Sequence, residues 1–301
     1  MNILFSVDEN YVKYLEVNVF QILRHNPDSS INFYIFHRDI PEQRWSGLES
    51  LKKIYTRFDY HPIQVPSGIF ENLPTGTGLT AHITQETYFR FALNLLPSKV
   101  KKILYMDVDI HVRGSLKELW DKEVATIAGV ADPFAENLDI ERPPLFPEFL
   151  WRKRFNIFRT KHTRRIGMSR ENRYINCGIL LINRDSMPDN LLQGLLELVS
   201  ELESKGSLRM GDQDAINVYF EGRIDYLDSR FNLQTNHVIG GHYLKDEVAI
   251  VHFTGPDKPW HFDPLSYPEG PAFERERYEF KREWNEDLKN FYQLTGNKRQ
   301  D

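Results

Sequence analysis

Cysteine is almost missing from this chain: Cys177 is the single one in 301 residues, so no internal disulfide can form. Asn-x-Ser/Thr acceptor sites are missing altogether. Both absences point to a reducing compartment. No apolar run approaches the ~20 residues that would span a bilayer. No basic leader with an apolar segment precedes the strand-like stretch from Ile3 to Val7, so no signal peptide is read and a cytoplasmic protein is expected. Excess positive charge is also lacking. Lys and Arg number 38 against 43 Asp and Glu, a formal net charge of −5, which argues against a general nucleic-acid binder. Glycine-rich phosphate loops are absent as well, because the first strand runs into Val7-Asp8-Glu9-Asn10-Tyr11. That sequence offers neither G-x-G-x-x-G nor G-x-x-x-x-G-K-[ST], which argues against dehydrogenases and P-loop enzymes. Any phosphate bound here must be neutralised by side chains and a metal.

What is present belongs to a globular protein. Hydrophobic residues at 41% and charged residues at 27% exclude a disordered chain, and the length suffices for a large core in one domain or two. The first half alternates: strand over 2–7, helix over 11–24, strand over 30–37, helix over 43–55, strand over 58–65. Alternation of this kind predicts an α/β fold with a mostly parallel sheet flanked by helices. A Gly-, Thr- and Pro-rich loop at 66–82 leads to a predicted helix over 85–96. A strand follows over 102–112. Further on, short strands are expected at 126–130, 174–183 and 248–252, and helices at 187–205 and 215–220. Phe280, Trp284, Leu288 and Phe291 recur at helical spacing in the charged tail, which predicts a docked amphipathic helix over 273–294.

The centre of the chain is Lys102-Ile103-Leu104-Tyr105-Met106-Asp107-Val108-Asp109-Ile110-His111-Val112. In an extended segment residues two apart point the same way, so Asp107 and Asp109 would present their oxygens side by side. Like charges so close repel unless a cation joins them, and a hard divalent ion suits such oxygens. Taken alone, the pair fits a metal site and a solvated strand end equally. In open α/β sheets ligands bind outside the carboxyl ends of the strands, where both Asp8 and this pair fall.

Four more motifs accompany it in order: Val7-Asp8-Glu9-Asn10-Tyr11 before it, then Asn176-Cys177-Gly178, Gly211-Asp212-Gln213-Asp214, and His252-Phe253-Thr254-Gly255-Pro256-Asp257-Lys258-Pro259-Trp260. Over residues 1–261 the sequence resembles glycosyltransferase family 8, the group of bacterial lipopolysaccharide galactosyltransferases and glycogenin. The resemblance implies a GT-A fold and a metal, manganese or alternatively magnesium, held by Asp107, Asp109 and His252. It implies a UDP-galactose or UDP-glucose donor. Val7, Asp8, Asn10, Tyr11 and Val108 would lie along the nucleotide, although Asp8 could equally cap the helix after it. Gly255 and Lys258 would contact the diphosphate, and Arg90 the sugar and its phosphate side. Asp132, Asn176 and Asp212 would hold sugar hydroxyls. Gln213, with Asp212, would form the catalytic pair at the anomeric carbon. The implied reaction is hexose transfer to a glycan, glycolipid or glycoprotein hydroxyl with retention, by front-face displacement or through a covalent intermediate on Asp212 or Asp214.

Two other readings share the fold. A sugar-nucleotide nucleotidyltransferase would need a basic, glycine-rich loop where Asp8-Glu9-Asn10 stands, and an inactive UDP-sugar binder would not need Gln213 and Lys258 intact. The organisation expected is a catalytic domain over 1–262, with an acceptor-side insertion at about 133–173, and a helical tail over 263–301. Within that insertion residues 151–173 carry nine basic side chains against one acid, with Trp151, Phe155 and Phe158 at helical spacing. This stretch from Trp151 to Arg173 is expected to cover an anionic acceptor or to rest peripherally on the inner face of a membrane.

Overall fold

The structure is a computed structural model that describes residues 1–76, 84–132, 162–169, 171–234, 238 and 243–296. The basic stretch at 151–173 lies outside the described residues up to 161 and at 170, as does most of the expected insertion.

The opening alternation folds as predicted. Strands β1 (Asn2–Ser6), β2 (Ile31–His37) and β3 (Phe58–Gln64) run parallel, connected by helices α1 (Val12–His25) and α2 (Ser46–Lys52). Strand β4 (Lys102–Met106) adds in parallel on the other side of β1. Beyond it, β7 (Ile175–Asn183) runs antiparallel between β4 and β6 (Ile127–Ala131), and β8 (Ile224–Leu227) closes the edge parallel to β6. The result is a seven-stranded, mostly parallel sheet in the order β3-β2-β1-β4-β7-β6-β8.

Alternate residues of the central strands feed two separate cores. Ile3, Phe5, Leu104 and Met106 face one side, and Leu4, Ile103 and Tyr105 the other. A strand covered on both faces must be apolar at consecutive positions, as β1 and β4 are. The C-terminal helix, α6 (Ala272–Thr295; α3 to α5 follow below), buries Phe280, Trp284, Leu288 and Phe291 in the first of these cores. The amphipathic helix expected there is present. Among the described residues, no helix is long and apolar enough to cross a membrane.

Three local expectations change. Residues 85–96 form two 3-10 turns, Gln85–Phe91 and Leu93–Leu95, with Tyr88, Phe89 and Phe91 all buried; apolar contact on every side favours the tighter turn over an amphipathic α-helix. The strand over 102–112 splits. β4 stops at Met106, the chain bends through Asp107 to Asp109, and β5 (Ile110–Val112) joins a second sheet of order β5-β10-β9, with β9 (Leu233–Gln234) and β10 (Ile250–His252). Helix α5 (Asp212–Tyr219) begins earlier than expected. Asp214 accepts from the backbone N–H groups of Arg209 and Met210 at 2.8 and 2.9 Å, and Gly211 takes φ +57, ψ −122, which a side chain would resist. Two further helices, α3 (Lys117–Asp121) and α4 (Leu191–Ser204), bury Leu119 in the first core and Leu191, Leu195 and Val199 in the second.

Candidate functional site

The bend after β4 and the small second sheet bring distant residues together. β5 pairs antiparallel with β10 so that His252 stands opposite Ile110, and Phe253 N–H donates to the Asp109 carbonyl at 2.9 Å. That register places the imidazole against both aspartates. Nε2 of His252 lies 3.2 Å from Oδ1 of Asp109 and 3.9 Å from Oδ2 of Asp107. One ligand atom from each of Asp107, Asp109 and His252 lies within 4.8 Å of the others. The carboxylate side chains are 25% and 18% exposed and the imidazole 3%, so the group opens outward from a buried base.

Strand β7 makes room for it. Pairing with β6 shifts register between Gly129, opposite Leu180, and Val130, opposite Asn176, which leaves Cys177, Gly178 and Ile179 without a partner on β6. Gly178 accepts from Asp107 N–H at 2.8 Å. A Cβ on Gly178 would stand 2.2 Å from Cε1 of His252 and 3.0 Å from Oδ2 of Asp107. The glycine is therefore required by close approach, a role that an isolated glycine in a strand can signal. Asn232 escapes sequence reasoning entirely, since it stands in no motif. Its Oδ1 lies 3.0 Å from Nδ1 of His252.

A chain of amides extends from that contact. Asn232 Nδ2 donates to Asn176 Oδ1 at 2.9 Å, Asn176 Nδ2 to Gln213 Oε1 at 3.2 Å, and Gln213 Nε2 to Asp132 Oδ2 at 3.2 Å. All these residues are buried. Gln213 Oε1 also accepts from Cys177 N–H at 3.0 Å. Asp132 and Asn176 are thus brought together on either side of Gln213, whose amide accepts from Asn176 and donates to Asp132.

Arg90 lies underneath, buried rather than solvated. Its Nη2 donates to Asp107 Oδ1 at 3.1 Å, its Nε stands 2.9 Å from Asp212 Oδ2, and its Nη1 donates to the Cys177 carbonyl. The guanidinium stacks 4.4 Å over the Tyr105 ring, whose hydroxyl donates to the same Asp107 oxygen at 2.8 Å. Asp107 Oδ1 is thereby occupied, and Oδ2 is the oxygen that faces the imidazole. Burial pushes the Asp212 carboxyl up to about 7, Arg90 pulls it down and Asp107 adds to the rise. Asp214 differs. It is fully buried and accepts from His162 Nε2 at 2.7 Å and Tyr174 OH at 2.6 Å besides the two backbone donors.

Lys258 approaches from the loop after β10. Its Nζ donates to Asp109 Oδ2 at 2.5 Å and to the Phe253 carbonyl at 2.8 Å. Burial opposes ionisation of Asp109, but Lys258 and then His252 outweigh it and hold that carboxyl well below its usual range. Gly255 takes φ +84 with open space around it. At the end of β1, Asp8 Oδ1 accepts from the N–H groups of Asn10 and Tyr11 at 2.7 and 3.1 Å, so it does cap the turn that follows. Val7 N–H donates to Phe36 at 3.0 Å, and the Val108 carbonyl accepts from Asn18 at 2.8 Å, which leaves both as backbone supports. Tyr11 stands edge-on to Tyr14 and Trp260, and those two rings stack 3.8 Å apart. Of these residues, Lys258 touches the aspartate pair directly, and Tyr11 is joined to its loop through the Trp260 ring.

The model of glycosyl transferase family 8 matches residues 2–263. The chain is 27% identical over 271 residues to the lipopolysaccharide 1,3-galactosyltransferase of Salmonella typhimurium, covering 86% of this chain and 73% of that one. It is 24% identical over 288 residues to the lipopolysaccharide glucosyltransferase WaaO of Escherichia coli, covering 91% and 76%. Its fold matches the crystal structure of the galactosyltransferase LgtC in complex with donor and acceptor sugar analogs, with a TM-score of 0.73 and 25% identity over 100% of this chain and 97% of that one. The match runs through every strand of both sheets and through all five motifs, so this chain, a glycosyltransferase of the GT-A fold, belongs to glycosyl transferase family 8.

Proposed function

We propose that this protein moves a hexose, galactose or glucose, from a uridine diphosphate sugar to a hydroxyl of a glycan, glycolipid or glycoprotein, with retention at the anomeric carbon. The observation that carries the reading is the convergence of Asp107, Asp109 and His252 at the mouth of the sheet. Nδ1 of the imidazole is tied to the Asn232 oxygen, so Nε2 is the nitrogen turned toward Asp109, at 3.2 Å. A divalent cation would be held where Nε2 and the two carboxylates converge. Two carboxylates and one imidazole fit manganese, with magnesium the alternative. When bound, such an ion supplies Lewis-acid stabilisation of the departing diphosphate, worth on the order of several kcal/mol.

The protein's own groups supply the rest. Lys258 adds a point charge beside Asp109, and Gly255 lets backbone come close to a phosphate. Asp8 retains one carboxylate oxygen beyond its cap for the nucleoside, and Tyr11 offers a ring face or edge to the uracil. Arg90, Asp132, Asn176 and Asp212 line the sugar's position. Gln213 and Asp212, adjacent in the first turn of α5, form the electron-rich wall for an oxocarbenium-like state. Asp214 already has four donors and is not available as a nucleophile. This favours front-face displacement, in which the leaving phosphate takes the acceptor proton. Two relatives named as lipopolysaccharide transferases support a bacterial surface glycan as the acceptor class. A cytoplasmic protein resting on the inner membrane face through residues 151–173 suits such an acceptor.

The test is UDP release from a panel of UDP-sugars with and without manganese, with the anomeric configuration of the product read by NMR. Release should require the divalent ion and vanish in the Asp107→Asn, Asp109→Asn double variant. Turnover that survives both conditions overturns the reading.

A further inference from the structure

Helix α6 lies wholly beyond residue 263, where the family match ends, yet it grips the site from two directions. On one side Asp257, the residue before Lys258, pairs with Arg277 Nη2 at 2.7 Å and with Lys281. Asn285 Nδ2 donates to the Pro259 carbonyl at 2.7 Å, and Trp260 packs on Trp284 with ring centroids 6.0 Å apart. These α6 residues share one face at helical spacing. The other direction leads to β5. Asp287 pairs with His111 at 3.2 Å, and Glu283 accepts from Arg113 at 2.8 Å, immediately behind Asp109. Between the two grips sits the Lys258–Asp109 pair, at 2.5 Å.

Docking of α6 for stability alone does not require the Asp257 contacts. The apolar face does that work, and an ion pair whose acid is 45% exposed contributes little to folding. Its position matters instead. Residues 257 to 260 are held by α6 through Asp257, the Pro259 carbonyl and Trp260, with Tyr14 of α1 also stacked on the Trp260 ring at 3.8 Å. We infer that α6 is a positioning element for the nucleoside diphosphate and that Asp257, through Arg277 and Lys281, sets the reach of Lys258. The inference rests on the reading of Lys258 as a diphosphate contact.

The experiment measures UDP binding by calorimetry in the presence of manganese, together with donor KM and kcat, for the full-length protein. Asp257→Asn should raise the UDP Kd and the donor KM roughly tenfold while kcat changes by less than about threefold, as for a residue that orients a binding group. Lys281→Met reaches the same contact from the helix and should act in the same direction. Added to Lys258→Met, Asp257→Asn should cause no further loss, because its effect runs through Lys258. Wild-type protein that binds no UDP overturns the donor reading, and this inference with it. Wild-type protein that binds while Asp257→Asn and Lys281→Met match it, or equal added loss in the Lys258→Met background, overturns this inference alone.

Discussion

Asp132, with the backbone N–H groups of Cys177 and Gly178, fixes which nitrogen of His252 faces Asp107 and Asp109, although Asp132 and His252 are joined only through three amides. A carboxylate only accepts, so Gln213 must turn its Nε2 toward Asp132 and its Oε1 toward Asn176. Asn176 must then accept from Asn232, and Asn232 must present its oxygen to Nδ1 of His252. Nδ1 carries the proton, and Nε2 is left toward Asp109 at 3.2 Å. The amides that line the proposed sugar position thus also set the tautomer of the proposed ligand.

Asn232→Ala removes the link next to the ring. The imidazole would lose its fixed tautomer, and outer contacts of this kind are worth about 10- to 100-fold in metal affinity. Manganese titration of UDP release should show that weakening with the fold intact by circular dichroism. An unchanged manganese requirement would show that the ring is held by packing alone.

Gly178→Ala places a methyl group where His252 Cε1 would be 2.2 Å away and Nδ1 2.7 Å away. Both atoms belong to a ring fixed on β10, so the ring must move out of the group. Overpacking of this sort costs about 1–3 kcal/mol in stability. Loss of turnover should be far larger than loss of folded protein. Wild-type kcat in this variant would mean that His252 has no part in the site.

Much of this was legible in the sequence, for identifiable reasons. The β1-α1-β2 alternation carries its own periodicity, and Phe280, Trp284, Leu288 and Phe291 mark the buried face of α6. Asp107, Asp109 and His252 could be grouped only through the family resemblance, since the aspartate pair taken alone fits a solvated strand end equally. The break after Met106 was hidden, since the apolar pattern continues to Val112 and the strand is divided only by pairing with β10, far along the chain. Asn232 was hidden for a similar reason: its role exists only through a tertiary contact. The start of α5 was missed because Asp214 captures the N–H groups of Arg209 and Met210, which turns the chain into the helix by a side-chain contact that hydrophobic spacing does not report.

That contact yields its own prediction. Asp214→Asn replaces an acceptor of four hydrogen bonds with a group that must turn N–H toward donors, at a site with no exposure. A cost of about 2–4 kcal/mol is expected. Thermal unfolding should shift accordingly, while kcat of the remaining folded enzyme stays within about threefold. A collapse of kcat without loss of stability would return Asp214 to the list of nucleophiles.

Asp212 should make stability depend on pH in the opposite sense to an ordinary paired carboxylate. Burial pushes it up to about 7 from an ordinary 3.8, with Arg90 at 2.9 Å only partly offsetting the cost of ionising it. Between those values the folded state holds a proton that the unfolded chain has released, so this group's contribution is complete below the lower value and lost as pH rises through the upper one. Asp212→Asn cannot titrate. Urea unfolding at about pH 5 and about pH 8 should therefore show the variant gaining on the wild type at the higher pH, by an amount on the order of a few kcal/mol. Donor kcat/KM should behave differently: if the ionised carboxylate accepts from a sugar hydroxyl, it rises in the wild type through about 7 and stays low and flat in the variant. Stability curves that run parallel for the two proteins would mean that Asp212 is already ionised on Arg90 across the whole range.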